Sequence, residues 1–226
     1  MTRAKTDGNC YICGKQLGKT AMKNHILKEH SSGDEECFLL AIEGLHAKQY
    51  WLLVDMPKNK SLEMLDMFLR RIWLECCGHM SAFNAGRYSE IGKTRKLSAF
   101  SKGDKIIHEY DMGSTTESLI SFAGETLRPK QKDAARLLAR NIEPIFECAS
   151  CDKPAVFVCQ ECLYSSDSPF YCKECAENHE HDEMFLPITN SPRNGECGYD
   201  GEFDTFAFIG PGMKKEPAGQ RSSGRR

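Results

Sequence analysis

Residues 50–78 read YWLLVDMPKNKSLEMLDMFLRRIWLECCG. The first seven, Tyr50 to Met56, form a β-prone apolar run that stops at Pro57. From Ser61 to Cys77 the apolar residues fall at Leu62, Leu65, Phe68, Leu69, Ile72 and Trp73, which is helical spacing. Ser61 stands where an N-cap belongs and Gly78 where a helix stops. A strand followed by an amphipathic helix therefore opens the centre of the chain.

Strand-like runs follow at residues 79–84, 105–111 and 117–123, and the segment Asp111-Met-Gly-Ser-Thr-Thr reads as the turn of a hairpin between the last two. Residues 132–139 fit a helix or a strand, and their periodicity decides neither. The expected class is α+β: a central domain mixing sheet and helix, flanked by two small zinc modules. Its divisions are 1–36, 37–147, 148–198 and a Gly-rich, basic and disordered tail at 199–226.

The case for zinc rests on the twelve cysteines among the 226 residues. No apolar run reaches membrane-span length, and the polar stretch from Met1 to Gly8 lacks the apolar core of a signal peptide. A cytoplasmic location is expected, where thiols bind metal more readily than they pair as disulfides. Cys10/Cys13, Cys148/Cys151, Cys159/Cys162 and Cys172/Cys175 are each separated by two residues, so each pair can offer two thiolates from one tight turn. A net charge of -2 exerts no global pull on nucleic acid, although the last residues, with Lys214, Lys215, Arg221, Arg225 and Arg226, are basic.

At the N-terminus, Cys10, Cys13, His25 and His30 place two thiolates on a knuckle and two imidazoles on one helical face. Leu17 and Met22 supply the small apolar core. This segment resembles the Cys2His2 type of zinc finger, with a central spacing one residue shorter than the commonest form. The resemblance puts base-reading positions on Gly18, Thr20, Ala21 and Asn24, of which Asn24 alone suits a base edge. Lys15, Lys19, Lys23 and Lys28 could touch phosphates, giving weak and salt-dependent binding.

Near the C-terminus, Cys148, Cys151, Cys159, Cys162, Cys172, Cys175, His179 and His181 provide the eight ligands that two closed tetrahedral sites require. Their order and spacing resemble a B-box. That resemblance implies a cross-brace, with Cys148, Cys151, Cys172 and Cys175 on one zinc and Cys159, Cys162, His179 and His181 on the other. The third spacing is longer than a B-box usually has. A strand would point His179 and His181 to opposite faces, leaving Asp182 or Cys197 as substitute ligands. A zinc ribbon using the first and third pairs alone is the simpler alternative. Two or three structural Zn2+ ions are expected in all, and no organic cofactor.

The strand-helix opening, the run from Gly103 to Gly113 and the strand after it are similar to the plasmid pRiA-type open-reading-frame-three-like family, over residues 47–140. The resemblance implies an α+β fold and an association with mobile elements; the second aspartate of the family's turn is Ser114 here. The centre contains no phosphate-binding glycine loop, HExxH or nucleophile elbow. Cys76 and Cys77 read as apolar fillers at a helix end.

These features favour a zinc-binding adaptor, with protein or nucleic acid as partner, over an enzyme. The alternative is a metal-dependent hydrolase or nuclease built on His79, His108, Glu109 and Asp111. Metal removal is expected to unfold the two ends and spare the centre.

Overall fold

The computed structural model describes residues 6–86, 89–165 and 168–201. Most of the tail expected to be disordered lies outside them. In chain order the elements are β1 (Asp7–Cys10), β2 (Gln16–Gly18), α1 (Lys19–Glu29), β3 (Glu35–Gly44), β4 (Trp51–Pro57), α2 (Leu62–Leu69), β5 (Ser81–Asn84) and β6 (Glu90–Ile91). They continue with β7 (Lys105–Tyr110), β8 (Thr116–Arg128), β9 (Arg136–Asn141), β10 (Phe157–Cys159), β11 (Phe170–Tyr171), α3 (Lys173–Ala176) and β12 (Phe185–Pro187). The fold is mostly β. Strand and helix are both present, as expected, but the weight lies with one large sheet.

That sheet has nine strands in the order β2-β1-β9-β4-β3-β8-β7-β5-β6, and every pairing is antiparallel. Strand β4 lies inside it, between β9 and β3, with all seven residues buried. Both faces are covered there, which explains the nearly continuous apolar run from Tyr50 to Met56. Leu52, Val54 and Met56 enter the core under α2, formed with Phe38, Leu40, Leu65, Leu69 and Trp73. Trp51 and Leu53 enter the opposite core under α1, with Met22, Ile26, Leu39 and Leu138. Residues 132–139, undecided from periodicity, end in strand β9, and the hairpin expected around residue 111 is β7 and β8. Its turn is built by Asp111, whose Oδ1 accepts the Gly113 N–H at 2.9 Å.

Ser61 occupies the N-cap of α2 with extended backbone, but its side chain caps nothing. The helix ends sooner than its pattern suggested. A wider π-type turn over Arg70–Leu74 takes over, closed by a Glu75 N–H to Arg70 carbonyl bond of 2.8 Å.

The small N-terminal unit shares the central sheet. β1 pairs with β9 in the register Gly8 to Asn141, Asn9 to Arg140 and Cys10 to Ala139. Met22 and Ile26 of α1, which a free finger would bury in a core of its own, are buried on Trp51, Leu53 and Leu138 instead.

The C-terminal unit has a three-stranded antiparallel sheet, β11-β10-β12. Its core consists largely of the candidate ligands, Cys148, Cys159, Cys162 and Cys172, with Tyr171 and Ala176. After β12 the chain returns to the central domain as a strap. Ser191 Oγ donates to the Trp73 carbonyl at 2.7 Å, and Asn194 Nδ2 donates to Tyr50 Oη at 2.7 Å. The fully buried Arg193 binds Asp111 Oδ2 at 2.7 Å and Thr116 Oγ1 at 2.9 Å, and lies over the Tyr110 ring.

Candidate metal centres

Cys10 ends β1 and Cys13 follows on a knuckle held by the Cys10 N–H to Lys15 carbonyl bond of 2.9 Å and the Gly14 N–H to Cys10 carbonyl bond of 2.7 Å. His25 and His30 come from α1 and its C-cap. All four ligand atoms lie within 4.8 Å of one another, with Cys13 Sγ 3.2 Å from His25 Nε2 and the two imidazole Nε2 atoms 3.0 Å apart. Bond lengths of about 2.3 Å to sulfur and about 2.0 Å to nitrogen give a tetrahedron edges of about 3.8 Å for S–S, about 3.5 Å for S–N and about 3.3 Å for N–N. The observed separations match such a tetrahedron to within a few tenths of an ångström. Burial lowers both imidazole pKa values, favouring the neutral form that binds metal. Burial also raises the Cys10 thiol, so a cation is needed to hold its thiolate.

The eight C-terminal candidates gather into two further groups. Cys148, Cys151, Cys172 and Cys175 form one, with Cys151 Sγ 3.7 Å from both Cys172 Sγ and Cys175 Sγ. Contacts with the other thiols push Cys175 up to about 12. Burial raises Cys148, but backbone N–H donors of Cys172 and Ser150, together with the thiols of Cys151 and Cys175, outweigh it and bring that thiol down to about 6. Four sulfurs this close cannot all ionise unless a cation lies between them.

Cys159, Cys162, His179 and His181 form the other group, with Cys162 Sγ 3.3 Å from His179 Nε2 and 3.6 Å from His181 Nδ1. The histidines converge because they are not in a strand: His179 closes the turn after α3 through its N–H to the Ala176 carbonyl, and His181 lies in the turn that follows. One presents Nε2 and the other Nδ1, which absorbs the difference in reach. Asp182 is exposed and outside both groups, and Cys197 lies elsewhere.

No family model matches this sequence, and no curated protein matches it. Among solved structures, a protein of unknown function from Methanosarcina mazei Go1 is similar, with 16% identity and a TM-score of 0.40 over 46% of this chain and 67% of that one.

The four residues offered as an enzyme site in the centre do not converge. His108 is fully buried on the α2 side of the sheet, with Nε2 2.7 Å from Asp66 Oδ1. Glu109 alternates to the other face, and Asp111 is engaged by Arg193. His79 Nδ1 faces Asp111 Oδ1 at 3.6 Å. Asp66, which the sequence reading did not single out, is the hub of a polar cluster that also includes Ser81 at 2.7 Å and Lys93 at 3.0 Å. Its position in the apolar stripe of α2 concealed it. Cys76 and Cys77 are not buried fillers: Cys76 is half-buried and Cys77 exposed, and both lie beside His79 and Cys197.

Among the described residues no helix is long and apolar enough to cross a membrane.

Proposed function

We propose that this chain is a zinc-stabilised cytoplasmic adaptor that presents a binding surface rather than a catalytic centre. One observation carries the reading: the twelve expected ligands fall into three groups of four, each made only of thiol and imidazole donors. Donor sets of that kind close around zinc and leave no position for substrate. Their contribution is folding free energy, which the C-terminal unit needs because its core is mainly cysteine. The link to mobile elements belongs to this reading through the resemblance of residues 47–140 alone.

The exposed side of α1 is the surface best suited to a partner. Thr20, Ala21 and Asn24 are exposed there, while Met22 and Ile26 face the sheet. Beside them, between α1 and the β7–β8 hairpin, lies a cleft of about 340 Å³ lined by Lys19, Lys23, Lys102 and Lys105, with Glu43 its one acidic residue. Lys19 pairs with Glu43. The remaining positive charge suits phosphate oxygens, so a nucleic acid is the partner this surface favours.

Elemental analysis of the full chain, with fluorescence anisotropy on labelled duplex and single-stranded DNA and RNA, tests the reading. Each of Cys10→Ser, Cys172→Ser and Cys159→Ser should remove one zinc. Binding should weaken steeply with salt and weaken further in Lys23→Glu/Lys105→Glu. No binding at low salt would rule out the nucleic-acid partner, and no loss of zinc in the three variants would rule out the metal.

A further inference from the structure

We propose that Cys76, Cys77, His79 and Cys197 form a fourth zinc site, of Cys3His type, which fastens the C-terminal strap to the central domain. Their ligand atoms all lie within 4.8 Å of one another although Cys197 is more than a hundred residues away in sequence. His79 Nε2 is 3.2 Å from Cys197 Sγ, and Cys77 Sγ is 4.0 Å from the same sulfur. A tetrahedral zinc asks for about 3.5 Å and about 3.8 Å at those edges. Cys37 is then the one cysteine of the twelve that belongs to no group.

The backbone on both sides is shaped to present these side chains. The wide turn over Arg70–Leu74 ends the helix just before Cys76, and Gly78, at φ 75°, reverses the chain so that His79 returns toward the two thiols. Cys197 itself adopts φ 44°, a left-handed conformation that residues with a Cβ rarely occupy, between Gly195 and Gly198, which also have positive φ. Such strain persists where surrounding structure enforces it, and functional sites are where it gathers.

The surroundings are those of a ligand set. With Nε2 turned toward Cys197, His79 turns Nδ1 toward Asp111 Oδ1 at 3.6 Å, the carboxylate behind the imidazole that orients many zinc-bound histidines. Three thiolates and a divalent zinc carry one net negative charge. The buried Arg193 guanidinium, 3.5 Å from Cys76 Sγ, donates to that sulfur and shares its charge between it and Asp111. Asp111 and Arg193 also bind each other, so the strap, the hairpin turn and the helix end meet at this point. A Cys77–Cys197 disulfide is the competing use of these sulfurs, and it would need them to close to about 2.05 Å.

The site stands independently of the three other groups, and its test counts metal in the full chain purified under reducing conditions without added zinc. Four zincs per chain are expected. Cys77→Ser and Cys197→Ser should each lose one, whereas Cys37→Ser should keep all four. His79→Ala should lose one and His79→Cys, which restores a ligand, should keep it; this pair carries the test if a cysteine variant fails to fold. Zinc counts unchanged in Cys77→Ser, Cys197→Ser and His79→Ala would overturn the site. So would an intact mass two hydrogens short that Cys77→Ser restores, because the sulfurs would then be joined to each other.

Discussion

Cys10, a member of the first Cys/His group, is the register partner of Ala139 across the antiparallel pair that joins β1 to β9. The thiol and the sheet therefore share one backbone segment, which couples any metal held there to the β1–β9 pairing.

Removing zinc should accordingly weaken the centre as well as the ends. Chelation, or Cys10→Ser, is expected to lower the unfolding midpoint of the whole chain and to speed amide hydrogen exchange at Leu138–Arg140 in β9. The stabilisation at stake is on the order of several kcal/mol. Unchanged exchange in β9 would return the finger to the status of a separate module, the behaviour the sequence predicted.

Asp55 is fully buried in β4, on the α1 side, between two guanidinium groups. Arg128 Nη1 lies 3.1 Å from Oδ1, and Arg136 Nε reaches both oxygens at 3.1 and 3.0 Å. Arg128 is itself fully buried and also binds Glu35 at 2.8 Å. Asp55→Asn keeps the shape but leaves buried positive charge unmatched, so denaturant titration should show a loss of about 3–5 kcal/mol. A loss below about 1 kcal/mol would mean that water reaches these arginines.

Burial holds the His108 imidazole pKa below its ordinary value, and Asp66, despite its own burial, is held below the carboxylate range by hydrogen bonds from His108, Ser81 and Lys93. Folded His108 takes up its proton less readily than the unfolded imidazole, whose pKa is about 6.5, so stability should fall as the pH drops through that value. Asp66 adds a loss of the same sign below about pH 4. Comparing wild type with His108→Gln isolates the first effect from metal release. The stability advantage of wild type should shrink between pH 7.5 and pH 5.5, and a constant difference would show that folded His108 titrates freely.

Gly8 in β1 packs directly beneath the Trp51 ring and the Arg140 carbonyl, leaving no space for a Cβ. Gly8→Ala should cost about 1–3 kcal/mol by forcing β1 away from β9. Because Cys10 lies two residues on, zinc affinity at the first group should fall as well. A competition titration with a chromogenic chelator measures it, and unaltered affinity would show that the knuckle holds its geometry without the sheet.

The Cys/His groupings were legible because a two-residue spacing between cysteines has few other uses, and the run from Tyr50 to Met56 announced its strand. What could not be read was how distant pieces meet. Gly8, Asn9 and Cys10 carry no sign of their pairing with β9, because backbone hydrogen bonds have no sequence signature. His179 and His181 looked incompatible only when a strand was assumed between them. Cys76 and Cys77 lacked the spacing of a knuckle, and their partner Cys197 sits far along the chain. Asp66 and Asp55, inside apolar runs, gave no hint of the charges that neutralise them.

The strap has a consequence for how the molecule comes into being. Tyr50, Trp73 and Asp111 are made early, but the side chains that satisfy them, Asn194, Ser191 and Arg193, follow 144, 118 and 82 residues later. A nascent chain emerging from the ribosome thus holds an unfinished domain until nearly all of the described residues have been translated. During that interval Tyr50, Trp73 and Asp111 are without these partners, and the central domain should reach its full stability only when residues 191–194 emerge.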